Sequence, residues 1–320
     1  MLAAYLAACL AGLVLLARSA DALVIGASSV AARLGVPSVI VGVVVIGFGT
    51  SAPEMLVSGL AAASGSADIG FGNVVGSNIA NLTLVLGVAA MTAPIVVRVE
   101  VVRREVPLAL LASVLFAGAL QGGLSRREGL GLIIVLALAL WALVRWALAG
   151  GTQPAAVALG HEVDDLVEAP RAGSRVAVQT VGGLLGTLAG AQLLVWGAVG
   201  IASGMGLSEG FIGATVVAVG TSLPELVTAA QAARRGESDL IVGNLMGSNL
   251  FNALAVGGVI GLIQPDVVAG PEVAVTGCLL MIAVSVLALA FMVRGFRVVR
   301  WEAAVLVGTF ISALPLLAAG

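Results

Sequence analysis

Two glutamates stand within long apolar stretches, where a charged side chain is costly. Glu54 ends the segment GTSAPE (49–54), and Glu225 ends the similar segment GTSLPE (220–225). Ionisable residues in such surroundings are functional candidates by default. Because no arginine lies in the core of a predicted membrane span, neither carboxylate has an evident fixed counter-charge. A mobile cation is therefore the natural partner of both.

Side chains that carry oxygen accompany both glutamates at helical spacing. Thr50 lies four residues before Glu54, and Thr221 lies four before Glu225, so each pair shares a helix face. The same spacing recurs in two further pairs, Ser77 with Asn81 and Ser248 with Asn252. A lone Ser or Thr can simply bond to its own helix, but recurrence beside a carboxylate favours ion ligands. Since the set lacks Cys and His, it suits Ca²⁺ and argues against Zn²⁺ or copper.

A proline precedes each glutamate, at Pro53 and Pro224. Proline has no N–H and clashes with the carbonyl four residues back, so the turns at Gly49 and Gly220 should be disturbed. Irregular backbone at membrane depth is tolerated where it lines a cavity. The freed carbonyls could therefore supply further cation ligands.

The two motifs belong to an internal repeat. The segment GNVVGSNIAN (72–81) recurs as GNLMGSNLFN (243–252), and the two copies are as far apart in the chain as the two glutamates are. Asp68 maps onto Asp239 at this constant offset, and 15 of the 33 positions from 49 to 81 are identical in the second copy. The glycines of these segments let helices approach closely. We expect four asparagines of the segments to tie helices together: Asn73, Asn78, Asn244 and Asn249.

The composition places the chain in a membrane. Of its 320 residues, 60 % are hydrophobic and 10 % are charged, and the mean hydropathy is +1.16, whereas soluble domains carry about 25 % charged residues. This excludes a soluble enzyme, a nucleic-acid binder and a disordered chain. Apolar stretches predict ten membrane helices, near 2–17, 37–63, 69–92, 106–122, 129–149, 176–202, 210–232, 240–263, 273–293 and 302–318. The first could instead be a signal peptide, but it lacks a basic n-region, and Arg18 follows the apolar run.

The arginines predict an orientation. With the N-terminus outside, thirteen of the fifteen arginines fall in cytoplasmic loops, and Arg126 and Arg127 alone fall outside, in line with the positive-inside rule. Both termini are therefore expected outside the cell membrane. Cys9 and Cys278 lie in apolar runs without partners at ligand spacing, so we expect neither a disulfide nor a metal site there.

The repeat offset covers five predicted spans. Because five is odd, equivalent motifs enter the membrane from opposite sides, which is the inverted-topology arrangement of secondary transporters. The sequence thus predicts an all-α polytopic membrane protein with ten transmembrane helices in two inverted-topology five-helix repeats. The repeats are residues 1–150, with the motif 47–81, and residues 176–320, with the motif 218–252. A short cytoplasmic linker, 151–175, joins them, and we expect its polar residues to be solvated.

Charge counting narrows the choice of ion. Two facing carboxylates balance one Ca²⁺ or two Na⁺, and both ions prefer oxygen ligands. One ligand set could therefore hold either ion in turn, and an emptied, charged site would be costly to move across a bilayer. Protons could also neutralise two carboxylates, so Ca²⁺/H⁺ antiport is an alternative. A cation channel is a further alternative, although channels arrange their ligands around an axis through the membrane and the odd repeat favours a transporter.

The duplicated motifs resemble those of the cation/Ca²⁺ exchanger superfamily, and most closely those of prokaryotic Na⁺/Ca²⁺ exchangers. The resemblance rests on GTSAPE with GNVVGSNIAN and on GTSLPE with GNLMGSNLFN, and it covers the whole chain in length, span count and repeat position. It implies a core of helices 2, 3, 7 and 8, across which helices 1 and 6 slide during alternating access. It also implies electrogenic exchange of three Na⁺ for one Ca²⁺. We expect no enzymatic activity, no cofactor, no nucleic acid and no obligate protein partner beyond the lipid bilayer.

The resemblance also implies roles for individual ligands. For a central Ca²⁺ site it implies two glutamates and two threonines: Glu54, Glu225, Thr50 and Thr221. For flanking Na⁺ sites it implies four serines and two backbone carbonyls: Ser51, Ser77, Ser222, Ser248, Gly47 and Ala218. Asn81 and Asn252 would line the middle position. Some relatives, K⁺-dependent exchangers among them, carry Asp where this chain has Asn252, so K⁺ co-transport is not expected.

Overall fold

The computed structural model describes residues 1–33, 51–149 and 173–319. Regular structure in these ranges is almost entirely helical. The predictions for Gly47, for Thr50 and for most of the linker fall outside the described residues.

The described part of the first half is built mainly from helices. They are α1 (Leu2–Arg33), α2 (Ala52–Ala63), α3 (Ala67–Ala80), α4 (Leu86–Thr92), α5 (Val99–Leu120) and α6 (Arg126–Ala149). The chain passes from α3 to α4 through a π-helical turn, Asn81–Val85. A two-residue strand, β1 (Ile95–Val96), precedes α5.

The second half follows a related plan. Its helices are α7 (Gly173–Met205), α8 (Glu209–Ile212), α9 (Ala218–Thr221), α10 (Leu223–Arg235), α11 (Ser238–Phe251), α12 (Gly257–Ile263), α13 (Cys278–Val293) and α14 (Arg300–Ala319). Three π-helical turns interrupt them, at Gly213–Val217, Asn252–Val256 and Glu272–Gly277. The strand β2 (Arg297–Val298) precedes α14.

Several elements recur at the offset of the sequence motifs. The helix α11 begins and ends at the repeat equivalents of the residues that bound α3. The π turn after α11 likewise begins and ends at the repeat equivalents of the residues that bound the π turn after α3. The helices α12 and α4 correspond in the same way. The repeat in the sequence is therefore also a repeat in local structure.

Seven helical segments of the described chain are long and apolar enough to cross a membrane, and a pair bent by 43° would make an eighth. The chain is therefore a multi-span helical membrane protein. The predicted span 106–122 is not among the seven, because Arg103, Arg104 and Glu105 lie near the start of its helix, α5. The helix α1 continues well past the predicted span 2–17, to Arg33.

The long helices α1 and α7 pack against each other at backbone distance. A Cβ atom added to Gly12 would lie 2.8 Å from the carbonyl oxygen of Gly190, and one added to Gly183 would lie 2.5 Å from the backbone nitrogen of Leu23. Real Cβ atoms do not come this close, so glycine is required where the two helices touch. Small residues serve this purpose at membrane helix interfaces.

In the core of the protein, α3 packs against the segment 209–217. A Cβ atom on Gly72 would lie 2.2 Å from the carbonyl oxygen of Gly210, and one on Gly76 would lie 2.2 Å from that of Ala214. The close approach predicted for the glycines of the GNVVGSNIAN segment is confirmed at these two positions. It brings the motif residues of the first half directly against the second half.

Loops of the two halves meet at one end of the bundle. Three hydrogen bonds join them, Ser66 Oγ to Glu209 Oε1 (3.1 Å), Gln264 Nε2 to Gly65 O (3.5 Å) and Asp266 N to Leu124 O (2.9 Å). We call this end, formed by residues 64–66, 121–125, 206–209 and 264–272, the Glu209 end.

A second group of loops meets around a small antiparallel ribbon. The strands β1 and β2 pair with Ile95 opposite Val298. Val96 N donates to Ser238 Oγ at 3.1 Å, and Arg98 Nε lies 2.9 Å from Asp239 Oδ2. We call this end, formed by residues 95–98, 236–239 and 294–299, the ribbon end.

Candidate cation site

Glu54 and Glu225 lie at equivalent places in two helices. Glu54 is the third residue of α2 and Glu225 the third of α10, and the preceding Pro53 and Pro224 fill the second positions. Proline is tolerated there because the first N–H groups of a helix have no partner within it. The segment 209–221 and α10 meet at an angle of 43°, which confirms the disturbed turn predicted beside Pro224.

The two carboxylates are buried near each other, and no described residue neutralises either of them. Each glutamate is 1 % exposed, and they lie near enough for their charges to repel. Among the described residues, none offers a hydrogen bond to any of their four carboxylate oxygens. The two ion pairs in the described part of the chain join Arg98 to Asp239 and Arg294 to Glu302, so neither includes Glu54 or Glu225. A buried charge of this kind is strongly unfavourable unless a counter-charge accompanies it.

Two serine hydroxyls beside the glutamates are also unused. Ser51 and Ser222 are the N-cap residues of α2 and α10, a position at which a serine usually accepts a bond from the helix backbone. Neither side chain makes that bond, and both hydroxyl oxygens are buried without a partner. Both oxygens are therefore available to a ligand.

Two asparagines stand where regular α-helix gives way to π-helical turns. Asn81 and Asn252 are the first residues of these turns and are fully buried. Asn81 Nδ2 donates to Asn249 Oδ1 at 3.0 Å, which leaves Asn81 Oδ1 without a partner. Neither polar side-chain atom of Asn252 has a hydrogen-bond partner within the described ranges. Single π turns inside α-helices are often found at functional sites.

The hydroxyls of Thr221 and Ser77 are buried and point to an asparagine. Thr221 Oγ1 lies 3.1 Å from Asn73 Oδ1 and 3.3 Å from the carbonyl oxygen of Ala218. Ser77 Oγ lies 3.4 Å from the same Asn73 oxygen. Ser248, the repeat equivalent of Ser77, is also fully buried. The hydrogen bond from Thr221 to Asn73 thus links a predicted ligand in the second half to the GNVVGSNIAN segment of the first half.

The donor set is made of oxygen alone. The buried, unpartnered oxygens at this site belong to Ser51, Glu54, Asn81, Ser222, Glu225 and Asn252. Two carboxylates with neutral hydroxyl, amide and carbonyl oxygens suit a hard cation such as Ca²⁺. Within the described ranges, no group of three or more His, Cys, Asp or Glu residues could hold a metal ion. The arrangement can therefore neutralise a divalent cation with the two glutamates while neutral oxygens complete its coordination.

The sequence model of the sodium/calcium exchanger protein family matches the chain twice, over residues 4–145 and 176–317. Together the two matches cover most of its length. The chain belongs to the sodium/calcium exchanger protein family. This confirms the resemblance that the duplicated motifs indicated.

Relatives of known name support the same family. The chain is 40 % identical to the putative antiporter CaxA of Alkalimonas amylolytica over 94 % of this chain and 95 % of that one. It is 30 % identical to the sodium/calcium exchanger MaX1 of Methanosarcina acetivorans over 96 % and 97 % of the two chains. A structure of the sodium-calcium exchanger NCX_Mj soaked with Na⁺ and Sr²⁺ matches with a TM-score of 0.65, at 29 % identity, over 98 % of this chain and 99 % of the other.

Membership of an exchanger family assigns the chain to the transporters. The family and the structural likeness to NCX_Mj support cation/Ca²⁺ antiport by a multi-span membrane protein.

Sequence reasoning missed two features of the site. The π turns at Asn81 and Asn252 have no evident signal in the surrounding apolar sequence. The role of Asn73 as an acceptor for two hydroxyls was also missed, although Asn73 lies four residues before Ser77 on the same helix face.

Proposed function

We propose that this protein is a secondary antiporter that exchanges Na⁺ for Ca²⁺ across the cell membrane by alternating access. The observation that carries the proposal is the buried pair Glu54 and Glu225, whose four carboxylate oxygens have no hydrogen-bond partner in the part of the chain that the structure describes. A permanent counter-charge would make this pair structural, whereas a transported cation makes it a binding site.

Charge balance explains why binding would lead to exchange. One Ca²⁺ or two Na⁺ neutralise the two carboxylates, so the ions compete for overlapping ligands. The empty site keeps two uncompensated charges, which makes its movement through the bilayer unfavourable. A third Na⁺, held by neutral oxygens, would make the exchange electrogenic at three Na⁺ per Ca²⁺.

The proposed ligands fall into three groups. Ca²⁺ would be held by the glutamates and two threonines, Glu54, Glu225, Thr50 and Thr221. Na⁺ would also use the four serines and two carbonyls, Ser51, Ser77, Ser222, Ser248, Gly47 and Ala218. The neutral amides of Asn81 and Asn252 would line the middle position and leave no third carboxylate to favour K⁺.

We further propose that two inverted halves of five helices each surround this site. The family model matches two stretches of equal length, 4–145 and 176–317. The loop between α2 and α3 lies at the Glu209 end, whereas the equivalent loop between α10 and α11 lies at the ribbon end. Equivalent loops at opposite ends are what an inverted repeat produces.

The arginines suggest which end faces the cytoplasm. At the ribbon end, Arg98 and Arg297 lie in the ribbon loops, and Arg234, Arg235, Arg294 and Arg300 lie next to them. Arg126 and Arg127 are at the Glu209 end. By the positive-inside rule the ribbon end would be cytoplasmic, and both termini would lie outside.

The driving ion can be tested with purified protein in liposomes loaded with ⁴⁵Ca²⁺. External Na⁺ should release the label, and a valinomycin-clamped potential should change the rate if net charge moves. A pH gradient without Na⁺ should release little. Release driven by the pH gradient but not by Na⁺ would overturn the proposal in favour of Ca²⁺/H⁺ antiport, and a requirement for K⁺ would contradict K⁺ independence.

A further inference from the structure

We propose that Asn73 is a positioning residue of the cation site. Its amide oxygen accepts hydrogen bonds from the hydroxyls of Thr221 and Ser77 and so leaves the lone pairs of these hydroxyls directed toward the ions. The inference rests on the proposed function, because it concerns how the same site is built. It extends the expectation that this asparagine only ties helices together.

Asn73 contacts both halves of the protein. It lies on α3 and is fully buried. Its Nδ2 atom donates to Ser58 Oγ at 3.0 Å and to the backbone oxygen of Glu54 at 3.5 Å. Its Oδ1 atom accepts from Thr221 Oγ1 at 3.1 Å and from Ser77 Oγ at 3.4 Å. The amide therefore touches the backbone of one proposed ligand and the hydroxyls of two others.

The contact with Glu54 determines which way the amide is turned. A backbone carbonyl can only accept a hydrogen bond, so the amide nitrogen must face it, and Oδ1 must face the hydroxyls. An amide oxygen has two lone pairs and no proton. Asn73 can therefore accept from Thr221 and Ser77 at the same time.

This matters because a hydroxyl binds a cation through a lone pair, with its proton directed elsewhere. If the Thr221 hydroxyl donated to a glutamate carboxylate of the site, it would occupy an oxygen that the ion needs. The Ala218 carbonyl is a second acceptor within reach, at 3.3 Å, but it is itself a proposed Na⁺ ligand. Asn73 is the acceptor that remains when an ion occupies that carbonyl.

The repeat extends the inference to the second half. Asn244 is the equivalent of Asn73 and is 7 % exposed. By the same repeat offset, its equivalent partners are Ser248 and Thr50. Since Thr50 lies outside the described residues, we infer this second contact from the repeat alone.

The test is a double-mutant cycle on Ca²⁺ affinity in the full-length protein. Asn73→Leu, Thr221→Val and the double variant are compared by Ca²⁺ titration calorimetry in detergent. Asn78→Leu is the matched control, because Asn78 is an equally buried asparagine of α3 whose amide nitrogen contacts the Asn249 backbone and Met281 rather than a proposed ligand. The Ca²⁺-free unfolding temperature of each variant is recorded beside the affinity.

We expect Asn73→Leu to weaken Ca²⁺ binding about tenfold, which is about 1.4 kcal/mol, and Asn78→Leu to change it less than twofold. In the Thr221→Val background the effect of Asn73→Leu should shrink to about threefold or less, because contacting residues that act through each other are not additive. Equal effects of Asn73→Leu in both backgrounds, or equal effects of the two asparagine variants, would overturn the inference.

The experiment can distinguish failure of this inference from poor folding of a variant and from failure of the proposed function. If Asn73→Leu does not accumulate, Asn73→Ala enters the same cycle. If wild-type protein binds Ca²⁺ but exchanges it for protons, the proposed function fails while the cycle still reports on Asn73, because it measures Ca²⁺ binding without any driving ion.

Discussion

Asn78 and Asn249 exchange hydrogen bonds across the contact between the two halves. The Nδ2 atom of each donates to the backbone oxygen of the other, both times at 3.3 Å. The two residues are separated by the repeat offset, so they are repeat equivalents. Reciprocal contact between equivalent residues is what a two-fold axis between the halves would produce.

Replacing either glutamate by glutamine should abolish Ca²⁺ transport. Glu54→Gln or Glu225→Gln removes one of two balancing charges, and loss of a charged partner in a buried site costs about 2–5 kcal/mol, which is roughly thirtyfold to several thousandfold in affinity. The Ca²⁺-free unfolding temperature should stay level or rise, since a buried unpaired charge is removed. Flux of ⁴⁵Ca²⁺ and thermal unfolding measure the two effects.

The control for this experiment is Thr50→Ala, which removes a proposed neutral ligand and should lower Ca²⁺ transport less. Wild-type flux in Glu225→Gln would remove that residue from the site.

Asn252→Asp should change the competition between ions without unfolding the protein. Both polar side-chain atoms of Asn252 are buried without partners, so the change breaks no hydrogen bond but adds a third carboxylate beside the pair. Na⁺ and K⁺ dependence of Ca²⁺ flux measures the result, with Asn252→Ala as the variant that leaves the charge unchanged. If the Na⁺ and K⁺ dependence of Ca²⁺ flux is unaltered in Asn252→Asp, the placement of Asn252 in the middle position of the cation site is contradicted.

Gly76→Ala should destabilise the protein by about 1–3 kcal/mol, as overpacking does in tight cores. The new Cβ would lie 2.2 Å from the carbonyl oxygen of Ala214, and backbone cannot move aside cheaply. The matched control is Gly118→Ala on α5, where nothing lies within 4 Å. Alanine there should be neutral or stabilising by about 0.5–1 kcal/mol, because glycine weakens helices. Unfolding temperatures in detergent compare the two, and equal values would contradict the packing described for α3.

Single cysteines should report the orientation of the two ends. Arg126→Cys, at the Glu209 end, should react with a membrane-impermeant maleimide on intact cells. Arg297→Cys, on β2 at the ribbon end, should react after permeabilisation only. The native Cys9 and Cys278 are buried and provide a low background. The opposite labelling pattern would reverse the proposed orientation.

The features of the candidate site that can be predicted from the sequence are those carried by the internal repeat. The constant offset between the two copies singled out Glu54 and Glu225, and Pro224 indicated the break before α10. These features are local, because a proline disturbs its own turn and a carboxylate in an apolar stretch needs a counter-charge whatever surrounds it.

Other features depend on how helices are rotated against each other, which a single sequence does not encode locally. Asn73 and Asn78 have the same residue type and both lie on α3, yet the first contacts hydroxyls of the site and the second a backbone carbonyl. The side chain that meets each of them comes from distant parts of the chain, such as Thr221 and Asn249. The charged start of α5 likewise showed that an apolar stretch and the helix that contains it need not coincide.

The glycine contacts between α1 and α7 leave no layer of side chains between the two backbones. Helices packed at that distance should move together rather than slide past each other. If, as the family resemblance implies, these two helices slide across the core during alternating access, they would provide one shared conformational coordinate. Any substitution that favours opening toward one face of the membrane must then disfavour opening toward the other by the same free energy, and the apparent ion affinities measured from the two faces should shift in opposite directions.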